Sequence, residues 1–492
     1  MRALLVTSVG VTCAAALTLP LAAPALSAPP SHSASALPPE SPGAGPPSVR
    51  AAELPAAESA GSTQSLPLEP LAAPSDRVAG AGAAAGQGLE RRTARPFSLV
   101  GVVWDDAEAE LHGTVQVRTR AAGSASWSDW QDVETHNAEH AADLGSDERS
   151  SGAVRGATAP LWVGASDGVE VRVRPEPADP QDRSEAAPLP EGLRLELVDP
   201  GPDPAPEPAG EAAPEPARAA PVGRTATAAT FALNPSPPTT TPAVVPEVLT
   251  AEAEAASAVN AELAPLGASV IPALTKAETE EAANVAPGAK PYIGPRPGII
   301  TRKGWGADEK LRERQFAYTK TVKAAFVHHS ATGNNYTCKQ APSVLRSIYR
   351  YHVKSSGWRD FGYNFAVDKC GNIYEGRAGG VTKAVLGAHT LGFNTNTMGI
   401  AVLGSYSSTN PPAAAVTAVS KLTAWKLGLF GANPKGKVTL TSGGSNKYKA
   451  GARVKMNVIS GHRDGFATEC PGARLYKKLG TARTSSAKLQ GR

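Results

Sequence analysis

Aromatic residues and sulfur are scarce in this sequence. Phe, Trp and Tyr make up 5% of 492 residues, beside 4 Cys and 3 Met. So few large side chains, set among 48 Gly and 44 Pro, exclude a chain that is packed core throughout. A single domain seldom exceeds about 250 residues, so two or more folded units joined by linkers are expected. After the first 30 residues no apolar run is long enough to span a bilayer, which excludes a polytopic membrane protein. Acidic residues are scarce in one half only. Residues 301–492 hold 8 Asp+Glu against 30 Lys+Arg, a net of +22, whereas residues 1–300 hold 37 against 19, a net of −18. The overall +4 hides this split, and only the basic half is suited to meet a polyanion.

The N-terminus carries an address. Arg2 is followed by the uncharged run Ala3 to Leu21 and then by small residues through Ala28. That is a secretory signal pattern over 1–28, with cleavage expected between Ala25 and Ala28, and it implies a secreted protein of the extracellular space or cell wall. Cys13 lies inside the run; Gly10 stands where a lipid-anchoring cysteine would want Leu, so Cys13 is lost with the signal. No stable membrane insertion is expected afterwards. Cys338, Cys370 and Cys470 remain, and outside the cytoplasm thiols pair or bind metal. Three is odd, so at least one has another task.

Residues 29–95 are rich in Ala, Pro, Ser and Gly without periodicity and read as disordered tether. In 96–199 the pattern becomes period-two: Val115, Val117 and Thr119; Val169, Val171 and Val173; Leu193, Leu195 and Leu197, each alternating with polar residues. An antiparallel sheet with one buried face follows, as a small all-β, sandwich-like domain. Trp104, Trp127, Trp130 and Trp162 fall here and read as core more readily than as a sugar-binding face. Residues 200–295 are Pro/Ala-rich linker, with twelve Pro in 201–250, and allow one short helix at 250–264. From 296 to 480 strands (324–330, 363–367, 372–375, 398–404, 437–441, 453–458) mix with helices at 339–354 and 413–430. The class is α/β, a central mixed sheet with covering helices. Residues 481–492 read as a tail.

Five of nine histidines lie in this last unit: His328, His329, His352, His389 and His462, with Cys470 eight residues after the last. A catalytic zinc needs three nitrogen or thiolate ligands and an open fourth position for water. Two His and one Cys would satisfy that, but spacing alone is weak: paired histidines at a strand end are often polar surface, and a lone Cys is often a small core residue.

The local strings carry more. They run, in order, Arg302-Lys303-Gly304-Trp305-Gly306-Ala307; Phe326-Val327-His328-His329-Ser330-Ala331-Thr332; Gly357-Trp358-Arg359-Asp360-Phe361-Gly362-Tyr363-Asn364-Phe365; Gly371-Asn372-Ile373-Tyr374-Glu375-Gly376-Arg377; Gly387-Ala388-His389; Met398-Gly399-Ile400; Gly461-His462-Arg463-Asp464; and Thr468-Glu469-Cys470-Pro471-Gly472. Together they resemble the peptidoglycan recognition proteins and the zinc-dependent type 2 amidases, over residues 300–480. The resemblance implies Zn2+ held by His328, His462 and Cys470, with His329 a neighbour and not a ligand. It implies Tyr363 beside the metal water, Thr468 pointing into the site, and His352, Trp358, Arg377, His389 and Asn394 along a glycan–peptide groove. His352 reads equally as a core histidine, and Arg377 as partner of Glu375 or another acid. The implied reaction is hydrolysis of the amide between N-acetylmuramic acid and L-alanine. Non-catalytic family members lack the ligand at Cys470; this chain keeps it. With Cys470 so assigned, Cys338 and Cys370 are left to pair, although the family's closely spaced pair is not matched. The implied partner is bacterial peptidoglycan, together with anionic wall polymers for the basic unit; nucleic acid is excluded by the export signal, and a monomer is expected. The alternatives are a peptidoglycan-binding module without turnover and a secreted zinc peptidase cutting stem peptides.

Overall fold

A computed structural model describes residues 61–71, 86–135, 137–177, 187–204, 249–284 and 291–492. The expected signal region, and most of the tether and linker, lie outside the described residues.

The first domain is built on strands β1 (Ser62–Pro67), β2 (Glu69–Pro70), β3 (Gln87–Trp104), β4 (Gly113–Ala121), β5 (Gln131–Val133), β6 (Gly156–Ala157), β7 (Leu161–Pro175) and β8 (Arg194–Asp199). They form one antiparallel sheet in the order β1-β8-β3-β7-β4-β5, with β2 and β6 added to β3. The alternating valines and leucines read from the sequence bury one face, around Val115, Val117, Val169, Val171, Val173, Leu195 and Leu197. Trp104 and Trp162 are core. Trp127 and Trp130 instead lie half-buried under Arg91 and Arg120, and under Arg118 and Arg172.

Two boundaries differ from the sequence reading. The tether contributes β1, β2 and the start of β3, and β1 pairs along its whole length with β8. Ser62–Pro67 has no strand pattern of its own; an unpaired edge on β8 supplies its hydrogen bonds. The linker contains the expected short helix as α1 (Ala251–Ala258), and beyond it β9 (Val270–Ile271) and α2 (Lys276–Ala282), the two helices capped by Thr250 and Thr275.

The second domain continues with β10 (Ile299–Ile300), β11 (Ala324–His329), α3 (Ala341–Arg350), β12 (Phe365–Val367), β13 (Ile373–Glu375), β14 (Thr397–Val402), α4 (Ala413–Leu429), β15 (Lys437–Thr441), β16 (Arg453–Asn457), β17 (Ile459–Gly461), α5 (Ala473–Tyr476) and α6 (Leu479–Gln490). Its mixed sheet runs β17-β11-β14-β12-β13-β10-β9, with β17, β11, β14 and β12 mutually parallel. Each strand sends alternate residues to opposite faces. Phe365, Val367, Ile400 and Val402 meet Val419, Leu422 and Trp425 of α4. Ala366, Tyr374 and Ala401 meet Leu345, Ile348 and Tyr349 of α3. Cys338 and Cys370 are bridged, their Cα atoms 6.2 Å apart. The expected tail is α6, whose Ala482, Ser486 and Gln490 are buried, with Ser486 and Gln490 bonded to Thr423 and Ala424 of α4. Small side chains allow that close approach, and they leave no large apolar stripe to read.

The described residues of both domains belong to one compact unit. Leu99, Val103, Trp162 and Val198 of the first domain share a core with Ile348 and Tyr351 of the second. Behind it, the Tyr351 hydroxyl donates to the Thr158 carbonyl (3.1 Å), and buried Glu196 accepts from Ser355 Oγ (2.9 Å). α3 and the turn after it are thus held between two sheets.

Candidate metal centre

His328 lies at the C-terminal end of β11, and His462 is the first residue after β17. The two strands pair in parallel with Val327 opposite Gly461, so the next residues on each stand side by side. Ligand sites in open sheets gather at such carboxyl ends. The chain then turns through Thr468, whose Oγ1 accepts from the Cys470 amide (3.1 Å), and returns the Cys470 sulfur to the histidines. Cys470 Sγ is 3.8 Å from His328 Nδ1.

A fourth group enters from the first domain. His140 lies on the connection between β5 and β6. Its Nε2 is 3.1 Å from His462 Nδ1 and 3.5 Å from Cys470 Sγ. The four ligand atoms all fall within 4.8 Å of one another, and all four residues are buried. Zinc bonded at about 2.05 Å to nitrogen and about 2.3 Å to sulfur places tetrahedral ligands about 3.3–3.6 Å apart, so three imidazoles and one thiol at these separations fit that ion. Soft sulfur with imidazole nitrogen is also a zinc donor set. Burial, reinforced by the neighbouring histidines, holds His328 and His462 well below the usual imidazole range and His140 at about 3. These rings are therefore neutral and present lone pairs. Burial pushes the Cys470 thiol up, so its thiolate needs a cation beside it.

The other residues named from the sequence divide. Tyr363 is buried with its ring 5.2 Å from that of His328. His389 is buried with its ring 5.4 Å from His328, its Nδ1 3.0 Å from Thr390 Oγ1. His329 points away from the set, 3.6 Å from Glu134 of the first domain. His352 is a core histidine: Nδ1 accepts from the Gly362 amide (3.2 Å), and its ring lies 4.4 Å from buried Trp358. Thr468 Oγ1 donates to Glu139 (2.7 Å). Asn394 donates to the Ala141 carbonyl (2.8 Å) and to Asp143 (2.7 Å). Arg377 is paired with an acid as expected, but the acid is Glu148 and not Glu375: two bonds of 2.8 Å. Glu148 is held below the usual carboxylate range, because the Arg377 charge outweighs the cost of its burial.

Sequence reading therefore missed one whole contributor, the segment 137–148 with His140. Its signal was present but faint: two histidines, His136 and His140, among acids in a stretch with no strand alternation.

Two family models match the chain. Residues 318–473 match the N-acetylmuramoyl-L-alanine amidase model, and residues 51–191 match the model described as Rv3811 N-terminal galactose-binding domain-like. Peptidoglycan-recognition protein SC2 of Drosophila melanogaster is 30% identical over 185 residues, 37% of this chain and 85% of that protein. The N-acetylmuramoyl-L-alanine amidase of Homo sapiens is 31% identical over 189 residues, 38% of this chain and 28% of that protein. The solved structure of Drosophila PGRP-LB superposes with a TM-score of 0.29 at 25% identity, over 37% of this chain and 92% of that one.

Proposed function

Because the chain belongs to the peptidoglycan recognition protein and N-acetylmuramoyl-L-alanine amidase family, its function is directed at peptidoglycan, and we propose that it is a secreted zinc amidase. The bond cleaved is the amide between the lactyl group of N-acetylmuramic acid and L-alanine. The observation that carries this reading is the convergence of His328, His462 and Cys470, from three separate segments, on one point. Those three residues would hold the ion, which when bound supplies a Lewis acid and lowers the pKa of its water towards ~7. The Tyr363 phenol stays protonated, because burial raises its pKa well above the ordinary value. It can therefore donate to the oxyanion that develops at the scissile carbonyl, or pass its proton to the leaving amine. The net +22 of residues 301–492 draws the domain to anionic wall polymers.

A second reading, a peptidoglycan-binding module without turnover, has one observation in its favour: His140 fills the corner that a catalytic zinc keeps open. Mass spectrometry of bacterial walls digested by the zinc-loaded full chain separates the readings. Free lactyl carboxyls with intact stem peptides support the amidase. Split stem peptides with an intact lactyl–alanine bond mean a peptidase, and walls bound but unchanged mean a binding module.

A further inference from the structure

The zinc-binding side chains of the second domain are covered by a piece of the first. We propose that residues 137–148 are a built-in plug of the metal centre, with His140 as a removable fourth ligand, which the carboxylate-bearing stem peptide of the wall must displace. The proposal rests on the amidase reading and adds how that site is regulated.

Four observations carry it. A zinc with four protein ligands is of the closed, structural type, whereas hydrolysis needs a corner free for water. His140 is the one ligand of the four that comes from the first domain. Second, the segment's contacts with the site's rim run along its length and use acids. Glu139 takes Thr468 (2.7 Å), and Asp143 takes the Gly392 amide (2.8 Å) and Asn394 (2.7 Å). Glu148 takes Arg377 in a fork of two 2.8 Å bonds. A peptide bearing carboxylates could satisfy the same donors, so the segment occupies the site as an anionic peptide would.

Third, these anchors differ in kind from the rest of the domain contact. Behind the site the domains share an apolar core, Leu99, Val103, Trp162 and Val198 against Ile348 and Tyr351. In the site the anchors are polar, the buried apolar residues of the segment are only the small Ala141 and Ala142, and Leu144 is 49% exposed. Polar contacts can be exchanged for water or substrate at small net cost, whereas exposure of an apolar core cannot. Fourth, the segment belongs to the long connection between β5 and β6, so it can lift while the sheet stays docked. The closed state then taxes the open one: a segment docked about 99% of the time would lower apparent activity about 100-fold.

The test uses the full chain loaded with cobalt(II), whose absorption reports coordination, with azide as the probe of an open corner. The wild type is expected to bind one cobalt and to leave its spectrum unchanged by azide. His140→Ala is expected to bind cobalt, to shift its spectrum on azide, and in the zinc form to release muropeptides at least about tenfold faster. Azide altering both proteins alike overturns the plug. So does a His140→Ala protein that holds no cobalt at saturation, since His140 is then a permanent structural ligand. If azide enters only the variant and neither protein cleaves walls, the plug stands and the hydrolase reading falls. Should His140→Ala misfold, the double variant Asp143→Asn, Glu148→Gln keeps all four ligands and decides the matter. It is expected to admit azide partly and to be cut faster by protease within 137–148, and wild-type behaviour in both respects overturns the proposal.

Discussion

The Cys470 sulfur lies 3.5 Å from His140 Nε2 and 3.8 Å from His328 Nδ1, within the buried four-residue cluster that also holds His462. Cys470→Ala should therefore weaken zinc retention against a chelator, followed by atomic absorption, since loss of the thiolate removes the one anionic member of the set and leaves three imidazoles. Tyr363→Phe should retain the ion yet slow muropeptide release by about 100-fold, the size of effect given by one oxyanion donor. Unchanged turnover in that variant would remove Tyr363 from the chemistry. His352→Ala should act differently, lowering stability by roughly 1–3 kcal/mol in denaturant titration through the bond lost to Gly362, with zinc content intact. The contrast between these residues marks what the sequence could show. His328, His462 and Cys470 sit in strings whose neighbours, such as Gly461 and Pro471, are themselves distinctive, so their grouping was legible. His140 was not, because its partners lie in another domain and no periodicity links residue 140 to residue 462.

Elements with strong alternation or helical spacing were read within a residue or two: β11 at Ala324–His329, α4 at Ala413–Leu429, β15 and β16. Those missed take their stability from a neighbour. β1 borrows its ladder from β8, and α6 packs small residues against α4. The strand β13 carries a titratable group in the same borrowed environment. Glu375 is buried, and burial lifts its carboxyl from 4.5 to about 7, against the bonds it accepts from Asn260 (2.8 Å) and the Arg302 amide (3.3 Å). The folded state thus binds a proton that the unfolded chain has released between pH 4.5 and about 7. Its contribution, about 3 kcal/mol from ~1.4 per unit, is full below pH 4.5 and lost as pH rises through 7. Glu375→Gln should flatten that slope in urea titrations across the window, and an unchanged slope would assign it to other groups.

At the scale of the molecule, the charge asymmetry read from composition has a local counterpart, since acids of the first domain face Arg377, Asn394 and Thr468 of the second. The shared apolar core makes the two domains one mechanical body, which the sequence hid because each domain's pattern reads as self-sufficient. Calorimetry should show one cooperative transition, and Trp162→Ala, at about 3–5 kcal/mol, should lower it as a whole; two separate transitions would mean that the domains unfold independently. The most direct test of the whole reading is X-ray absorption at the zinc edge of the full chain. The expected result is one sulfur at about 2.3 Å and nitrogen ligands at about 2.0 Å, with the outer-shell signature of three imidazoles falling to two in His140→Ala. A spectrum without sulfur, or a chain that binds no zinc, would contradict it.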